Sequence, residues 1–116
     1  MPANDDEPWA LVDPLALSRT ITDGYRNMLI GRVNDHEIRM SVVTRQFPWH
    51  IHPDSDETFC GVDGELLIEF RNGQAVVGPG QMVTVAAGTP HRTRPVGERC
   101  VNLTFERARA PTVFDE

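Results

Sequence analysis

Turn-forming residues recur every six to twelve positions along most of the chain, and this spacing restricts the possible folds more than any other feature. The turn clusters lie at positions 34–35, 53–56, 63–64, 72–73, 78–80 and 88–90. Because Asp-Gly and Asn-Gly between apolar runs are strong hairpin signals, Asp63-Gly64 and Asn72-Gly73 are predicted to be hairpin turns. Between the turns, apolar residues alternate with polar ones, which is typical of short strands. The pattern predicts an all-β sandwich or barrel of seven or eight strands.

A chain of 116 residues suits one domain. The predicted β-barrel covers residues 25–109, preceded by an acidic tail and covering segment at 1–24 and followed by a C-terminal tail at 110–116. Within the barrel, Pro48 is predicted to end a strand that begins at Glu37, because proline breaks the hydrogen-bond ladder of a sheet.

One short helix is predicted in the N-terminal segment. Asp13 and Pro14 form a start signal, since Asp caps free amides and Pro fits the first helical position. The predicted helix lies between Trp9 and about Arg19 and has one or two turns. The first seven or eight residues are predicted to be frayed.

The composition excludes several kinds of chemistry and partner. All eleven basic residues are arginine, so a pyridoxal Schiff base, a lysine-type aldolase and a phosphate-binding loop that depends on lysine are ruled out. A net charge of −6 opposes binding to nucleic acid or to anionic membranes. No stretch approaches the ~20 apolar residues of a membrane span, and the acidic N-terminus lacks the apolar core of a signal peptide. We therefore expect a soluble cytoplasmic protein.

Two cysteines, Cys60 and Cys100, stand forty positions apart. This spacing matches neither a disulfide scaffold nor a zinc ribbon. Both are expected to be reduced, partly buried thiols, and the sequence assigns them no role.

The histidines are placed unevenly, and three of them are candidate metal ligands. His50 and His52 stand two apart, so on a strand both face the same side and can converge on one metal ion. Glu57 follows a turn, and a chain that reverses there returns antiparallel with Glu57 facing the same point. His91 comes directly after a Gly-x-Pro turn. This donor set suits Fe, Mn, Ni, Co, Cu or Zn, while a pair of exposed histidines at a strand end is the alternative interpretation.

These residues resemble the two sequence motifs of the cupin superfamily. The first motif is matched at every ligand position and at its closing glycine by His50-x-His52-x4-Glu57-x6-Gly64. The second is matched in spacing by Gly80-x7-Gly88-x2-His91. The likeness covers roughly residues 25 to 106 and extends to small single-domain cupins often called mannose-6-phosphate isomerase-like.

The resemblance implies a cupin, or RmlC-like jelly-roll, barrel of two antiparallel sheets. It also implies one divalent transition metal ion, held inside one mouth of the barrel by His50, His52, Glu57 and His91. Three framework positions depart from the family pattern and concern loop shape rather than metal binding, namely Thr44, Ala86 and Pro95.

The resemblance leaves the reaction open, because the superfamily includes isomerases, dioxygenases, lyases, epimerases and non-catalytic binders. Since Tyr25 is the one tyrosine and lies outside both motifs, the metal is expected to supply the chemistry, with Glu57 as a possible acid–base group. We expect a metal-dependent enzyme of oxygenase, lyase or isomerase type that acts on a small polar metabolite. The alternatives are a non-catalytic binding or sensing module and a structural barrel with a degenerate site. Pairing through sheet edges predicts a homodimer.

Neighbouring residues have predicted orientations. If His91 points into the barrel, strand alternation directs Arg92 outward and Thr93 inward. Arg92 is then expected to form a salt bridge or an interface contact. Phe59 shares the face of Glu57 and is expected to line the pocket.

Overall fold

Ten strands and one short helix form the part of the chain that this computed structural model describes, residues 7–115. The helix α1 spans Pro14–Ser18. The strands are β1 (Arg26–Val33), β2 (His36–Val43), β3 (Phe47–Ile51), β4 (Glu57–Asp63), β5 (Leu66–Phe70), β6 (Gly73–Val77), β7 (Met82–Val85), β8 (His91–Pro95), β9 (Cys100–Arg107) and β10 (Val113–Phe114). The fraying predicted for the first residues falls largely on positions 1–6, outside the described residues. Within residues 7–115, no helix has the length and hydrophobicity of a membrane span.

The strands form two five-stranded antiparallel sheets that face each other. Sheet A has the strand order β1-β2-β9-β4-β7, and sheet B has the order β10-β3-β8-β5-β6. The chain alternates between the sheets in the manner of a jelly roll. The predicted all-β architecture of two antiparallel sheets with a short N-terminal helix is confirmed, with ten strands in place of the predicted seven or eight.

The short helix has the predicted start signal. Asp13 is the N-cap, its Oδ1 accepts a hydrogen bond from the Ala16 amide at 3.0 Å, and Pro14 is the first helical residue. The helix ends at Ser18, so it occupies the second half of the predicted span.

The predicted break at Pro48 was wrong. The strand from Glu37 ends at Val43, and Pro48 lies inside β3, which belongs to the other sheet. The register between β3 and β8 shifts between Phe47 and His50. A proline is tolerated at such a bulge because the ladder does not require its missing N–H group. The single predicted strand therefore corresponds to two strands, β2 and β3, and the chain crosses from sheet A to sheet B between them.

The two predicted hairpins have different outcomes. Asn72-Gly73 does join a hairpin, because β5 and β6 pair from Leu66 to Phe70. Asp63-Gly64 does not, since β4 lies in sheet A and β5 lies in sheet B. Gly64 has φ +65°, and a Cβ there would lie 2.7 Å from the Arg99 carbonyl oxygen. The dipeptide makes a tight turn as predicted, but the turn carries the chain across the sandwich.

Two hydrophobic clusters hold the sheets in place. The first lies between the sheets and contains Val43, Phe59, Leu66, Ile68, Val77, Val85 and Cys100. The second lies where the N-terminal segment packs on sheet A and contains Ile21, Met40, Val42 and Val101, with Leu17 packed against it. The guanidinium of Arg99 donates hydrogen bonds to the carbonyls of Ser18 and Ile21, at 2.7 and 3.3 Å, which fixes this segment on the sheet. The first cluster, between the sheets, leaves one end of the sandwich free for polar side chains.

Candidate metal centre

Four buried side chains meet at one mouth of the sandwich. His50 lies on β3 and His52 just after it, Glu57 begins β4, and His91 begins β8. One donor atom from each lies within 4.8 Å of the others, a group that could hold a metal ion. Their exposed fractions are between 1% and 7%, so the alternative of exposed histidines at a strand end was wrong.

The route by which Glu57 reaches this point differs from the prediction. A chain reversing at positions 53–56 was expected to return antiparallel beside the histidine strand. Instead β3 lies in sheet B and β4 lies in sheet A, so the carboxylate faces the histidines across the sandwich. The convergence therefore depends on the packing of two sheets, which alternation along one strand does not reveal.

Backbone carbonyls orient two of the imidazole rings. His50 Nδ1 lies 2.7 Å from the Pro48 carbonyl oxygen, and His91 Nδ1 lies 2.8 Å from that of Thr89. A carbonyl oxygen only accepts hydrogen bonds, so each Nδ1 carries the hydrogen. In the neutral ring, Nε2 then presents its lone pair toward the other ligand atoms. This is the arrangement found around metal-ligating histidines.

The charges at the centre are strongly coupled. Burial raises the pKa of Glu57, but hydrogen bonds and charge attraction from the His52 and His91 rings, which donate to the carboxylate through Nε2 when they are protonated, outweigh burial and lower that pKa to about 2. The hydrogen bond to Glu57 raises the pKa of His52. Burial lowers the pKa of His50 from 6.5 to about 4. Near neutral pH the centre therefore contains a carboxylate and a neutral His50, both in the protonation state that a metal requires.

The C-terminal segment completes the mouth, which the sequence had not indicated. Strand β10 pairs with β3. His52 Nδ1 lies 3.4 Å from both the Pro111 carbonyl oxygen and Thr112 Oγ1. The Phe114 ring lies 6.2 Å from that of His50, measured between centroids. The residues predicted as a tail thus position one ligand and cover another.

A cavity of about 420 Å³ opens at this mouth, and its lining includes His50, His52 and Glu57. Its polar wall was missed from the sequence and consists mainly of alternate residues of two paired strands. They are Glu37, Arg39 and Ser41 on β2, and Asn102, Thr104 and Glu106 on β9. The alternation of β9 itself was the available signal, because polar residues at positions 102, 104 and 106 face away from apolar Val101, Leu103 and Phe105.

Glu106 is the wall residue nearest the ligands. It pairs with Glu57 on β4, and its Oε2 lies 3.8 Å from His52 Nδ1. Burial raises the pKa of Glu106, and the neighbouring charge of Glu57 raises it further. Within residues 7–115, Oε2 is buried and accepts no hydrogen bond. A second carboxyl group therefore stands directly behind the candidate metal ligands.

The remaining predicted orientations are confirmed. Arg92 lies outside the cavity and donates two hydrogen bonds to Glu69, at 3.1 and 3.2 Å. Thr93 and Phe59 line the cavity. His36, the fourth histidine, is exposed beside Asp35.

Both cysteines are free thiols and lie outside the cavity lining. Cys100 is buried, and this burial raises its pKa to about 11. A thiol with that pKa is protonated and unreactive at neutral pH.

Comparison with known proteins agrees with this architecture. A 42% identical relative is "Uncharacterized protein YdbB" of Bacillus subtilis (strain 168), over 88% of this chain and 90% of that protein. A cupin-2 domain containing protein from Shewanella frigidimarina NCIMB 400 superposes with a TM-score of 0.77 at 25% identity, over 84% of this chain and 94% of its own. DMSP lyase DddQ from Ruegeria pomeroyi DSS-3 superposes with a TM-score of 0.67 at 21% identity, over 79% and 52%.

The family model of the cupin domain matches residues 36–105, a span that contains all four candidate ligands and eight of the ten strands in whole or in part. The two motifs that carried the resemblance lie inside the matched span. The chain therefore belongs to the cupin domain family.

Proposed function

We propose that the protein binds one divalent transition metal ion through His50, His52, Glu57 and His91. The observation that carries the proposal is the convergence of four buried donor atoms within 4.8 Å. Two of the histidines are also held by backbone carbonyls in the tautomer that a metal needs. Three imidazoles and one carboxylate form a donor set that fits Fe, Mn, Ni, Co, Cu or Zn.

We further propose that the metal-bearing cavity acts on a small polar metabolite, as an oxygenase, lyase or isomerase. A bound metal ion supplies Lewis-acid polarisation or a site for a small ligand. In this proposal, Phe59 excludes water from the cavity and the polar wall holds the substrate. The Glu106 carboxyl group lies next to His52. The absence of lysine from the sequence supports chemistry that depends on the metal rather than on a protein nucleophile.

A structural neighbour named as a DMSP lyase supports a lyase as one of the three reaction classes. At 21% identity the likeness concerns the fold alone, so the substrate in that name is not transferred to this chain. The second candidate function is a non-catalytic module that binds or senses a small molecule with the same metal site. An ion pair between Arg39 and Glu37 at 3.5 Å favours this second function, because it occupies two charged groups of the wall that would otherwise be free to act on a substrate.

We also propose that the protein is cytoplasmic and forms a homodimer that pairs through sheet edges. Strand β1 is an edge of sheet A, and Leu29 and Val33 expose apolar side chains on it. Exposed edges of this kind favour pairing with a second copy. Light scattering of the purified protein measures the molar mass, and a value of one chain would contradict the dimer.

Metal analysis of the purified protein tests the metal site. Protein prepared without chelator is expected to contain near one transition metal ion per chain. The double variant His50→Ala/His91→Ala is expected to contain none, while His36→Ala, which alters an exposed histidine, keeps the full content. Stoichiometric metal in the double variant would refute the proposed ligand set.

Activity measurements separate the enzyme from the binding module. Oxygen consumption and product formation are followed with catechols, thiols and small acids, in protein loaded with each candidate metal. Turnover that disappears in the double variant supports the enzyme. Tight binding of a compound without turnover under any metal supports the binding module.

A further inference from the structure

Asn102 occupies an unusual position at the far end of the cavity. Its side chain is 2% exposed, and it lines the cavity from the middle of β9. Its Oδ1 is buried and has no hydrogen-bond partner within residues 7–115. A buried amide oxygen without a partner costs free energy, so native proteins rarely keep one unless a water or a ligand completes it.

The residues that pair with Asn102 in sheet A carry no charge. In the strand pairing, Asn102 stands between Ser41 on β2 and Gly61 on β4, and Asn27 of β1 follows Ser41. The Asn27 amide donates a hydrogen bond to Ser41 Oγ at 2.7 Å. We call Asn27, Ser41 and Asn102 the amide row. Because no member carries a charge, the amide row itself offers a charged ligand group no counter-charge for its lost hydration.

The nearest wall cation is already engaged. Arg39 donates a hydrogen bond to Asn27 Oδ1 at 3.2 Å and pairs with Glu37 at 3.5 Å. An anionic group at the amide row would therefore have to break these contacts. An apolar group would leave the Asn102 amide unsatisfied. A hydroxyl, which both donates and accepts, can satisfy the amide whichever way it is turned.

The amide row lies well away from the candidate metal ligands. Glu57 pairs with Glu106, whereas Asn102 is four residues further along β9. At the rise of a strand this separation is roughly 13 Å along the backbone. A ligand that reaches both ends of the cavity therefore has a chain of several atoms.

We propose that Asn102, at the buried end of the amide row, is a subsite for an uncharged hydroxyl group of the ligand. The ligand class is a hydroxylated small molecule whose other end, such as a carboxylate, binds at the metal centre. This inference rests on the proposed function, because the metal holds that other end. It adds a specificity-determining residue and a substrate class that the metal centre alone does not define.

Pairs of acids that differ by one hydroxyl test the subsite. Zn²⁺-loaded protein is titrated calorimetrically with pentanoate, 5-hydroxypentanoate and glutarate, and with the homologues one carbon shorter and longer. The hydroxy acid of matching length is expected to bind about two- to tenfold more tightly than the plain acid, the value of one good hydrogen bond. Glutarate is expected to bind no better than pentanoate.

Variants assign the effect to Asn102. In Asn102→Leu, a substitution of similar shape, the hydroxyl preference is expected to fall to about one while pentanoate still binds. Asn102→Ala, which removes the amide and adds no hydroxyl, serves the same purpose if the leucine variant fails to fold. Thr84→Val, which removes an exposed hydroxyl outside the cavity, is the control and is expected to keep the preference.

Stability separates a binding role from a structural one. Removal of an unsatisfied buried amide is expected to leave the thermal midpoint of Asn102→Leu equal to or above that of the wild type. A large drop in the midpoint of both Asn102 variants would assign Asn102 to the fold and overturn the proposal. Equal affinity for the two acids in the wild type, or binding of neither while zinc is bound, would also overturn it. Loss of zinc itself would instead refute the metal site, and metal analysis detects that separately.

Discussion

Glu57 Oε1 lies 3.2 Å from Nε2 of His91, although the two residues belong to opposite sheets. The same oxygen lies 3.2 Å from Nε2 of His52. At this mouth the contact between the sheets is thus made by the atoms proposed to bind the metal. A metal ion at this point would link the two sheets through their own side chains.

Zinc is therefore expected to stabilise the folded protein. An ion that binds only the folded state stabilises it by about 2.7 kcal/mol when its free concentration is 100 times its dissociation constant. Urea unfolding with and without Zn²⁺ measures this difference. The His50→Ala/His91→Ala variant is the control, and an equal gain in stability there would place the stabilising ion elsewhere.

Gly61 is expected to tolerate no side chain. A Cβ at this position of β4 would overlap the carbonyl oxygen of Gly78. The two segments are also held together by a hydrogen bond of 3.0 Å from the Gly80 amide to the Gly61 carbonyl oxygen. Gly61→Ala should lower the free energy of unfolding by about 1–3 kcal/mol, since backbone atoms must move. Gly73→Ala is the matched control, because in the described chain nothing lies within 4 Å of a Cβ there. Equal stability of the two variants in denaturant unfolding would contradict the prediction.

The sequence predicted what local patterns determine. Alternation and turn residues predicted the strands, and the His50-x-His52 spacing indicated one side of the metal centre. The sheet to which each strand belongs depends on contacts distant in sequence. For that reason Asp63-Gly64 looked like a hairpin, and Pro48 looked like the end of a strand. The polar wall was missed for a similar reason: the alternation of β9 is visible in the sequence, but the position of this face beside the metal centre depends on contacts between distant strands.

Glu106 is expected to destabilise the metal-free protein at neutral pH. Burial raises its pKa above the ordinary value of 4.5, so the unfolded chain releases the proton more readily than the folded one. The contribution of Glu106 to the free energy of unfolding should therefore fall as the pH rises from below 4.5 through its folded-state pKa. Glu106→Gln avoids this loss and should be the more stable protein at pH 7, with a smaller advantage at pH 3. Exposed Glu98→Gln is the control, and an advantage of Glu106→Gln that grows toward low pH would contradict the sign.

Metal affinity is expected to decrease in mild acid because His52 must lose its proton to bind. The hydrogen bond to Glu57 raises the pKa of His52 above 6.5, whereas burial keeps the pKa of His50 at about 4. As the pH falls through the raised pKa of His52, this ring takes up a proton while His50 stays neutral. Below the His52 pKa, proton competition at this ring should weaken Zn²⁺ binding by about tenfold per pH unit. Competition titrations with a chelator of known affinity measure the slope, and an affinity independent of pH over this range would exclude His52 as a ligand that titrates in this way.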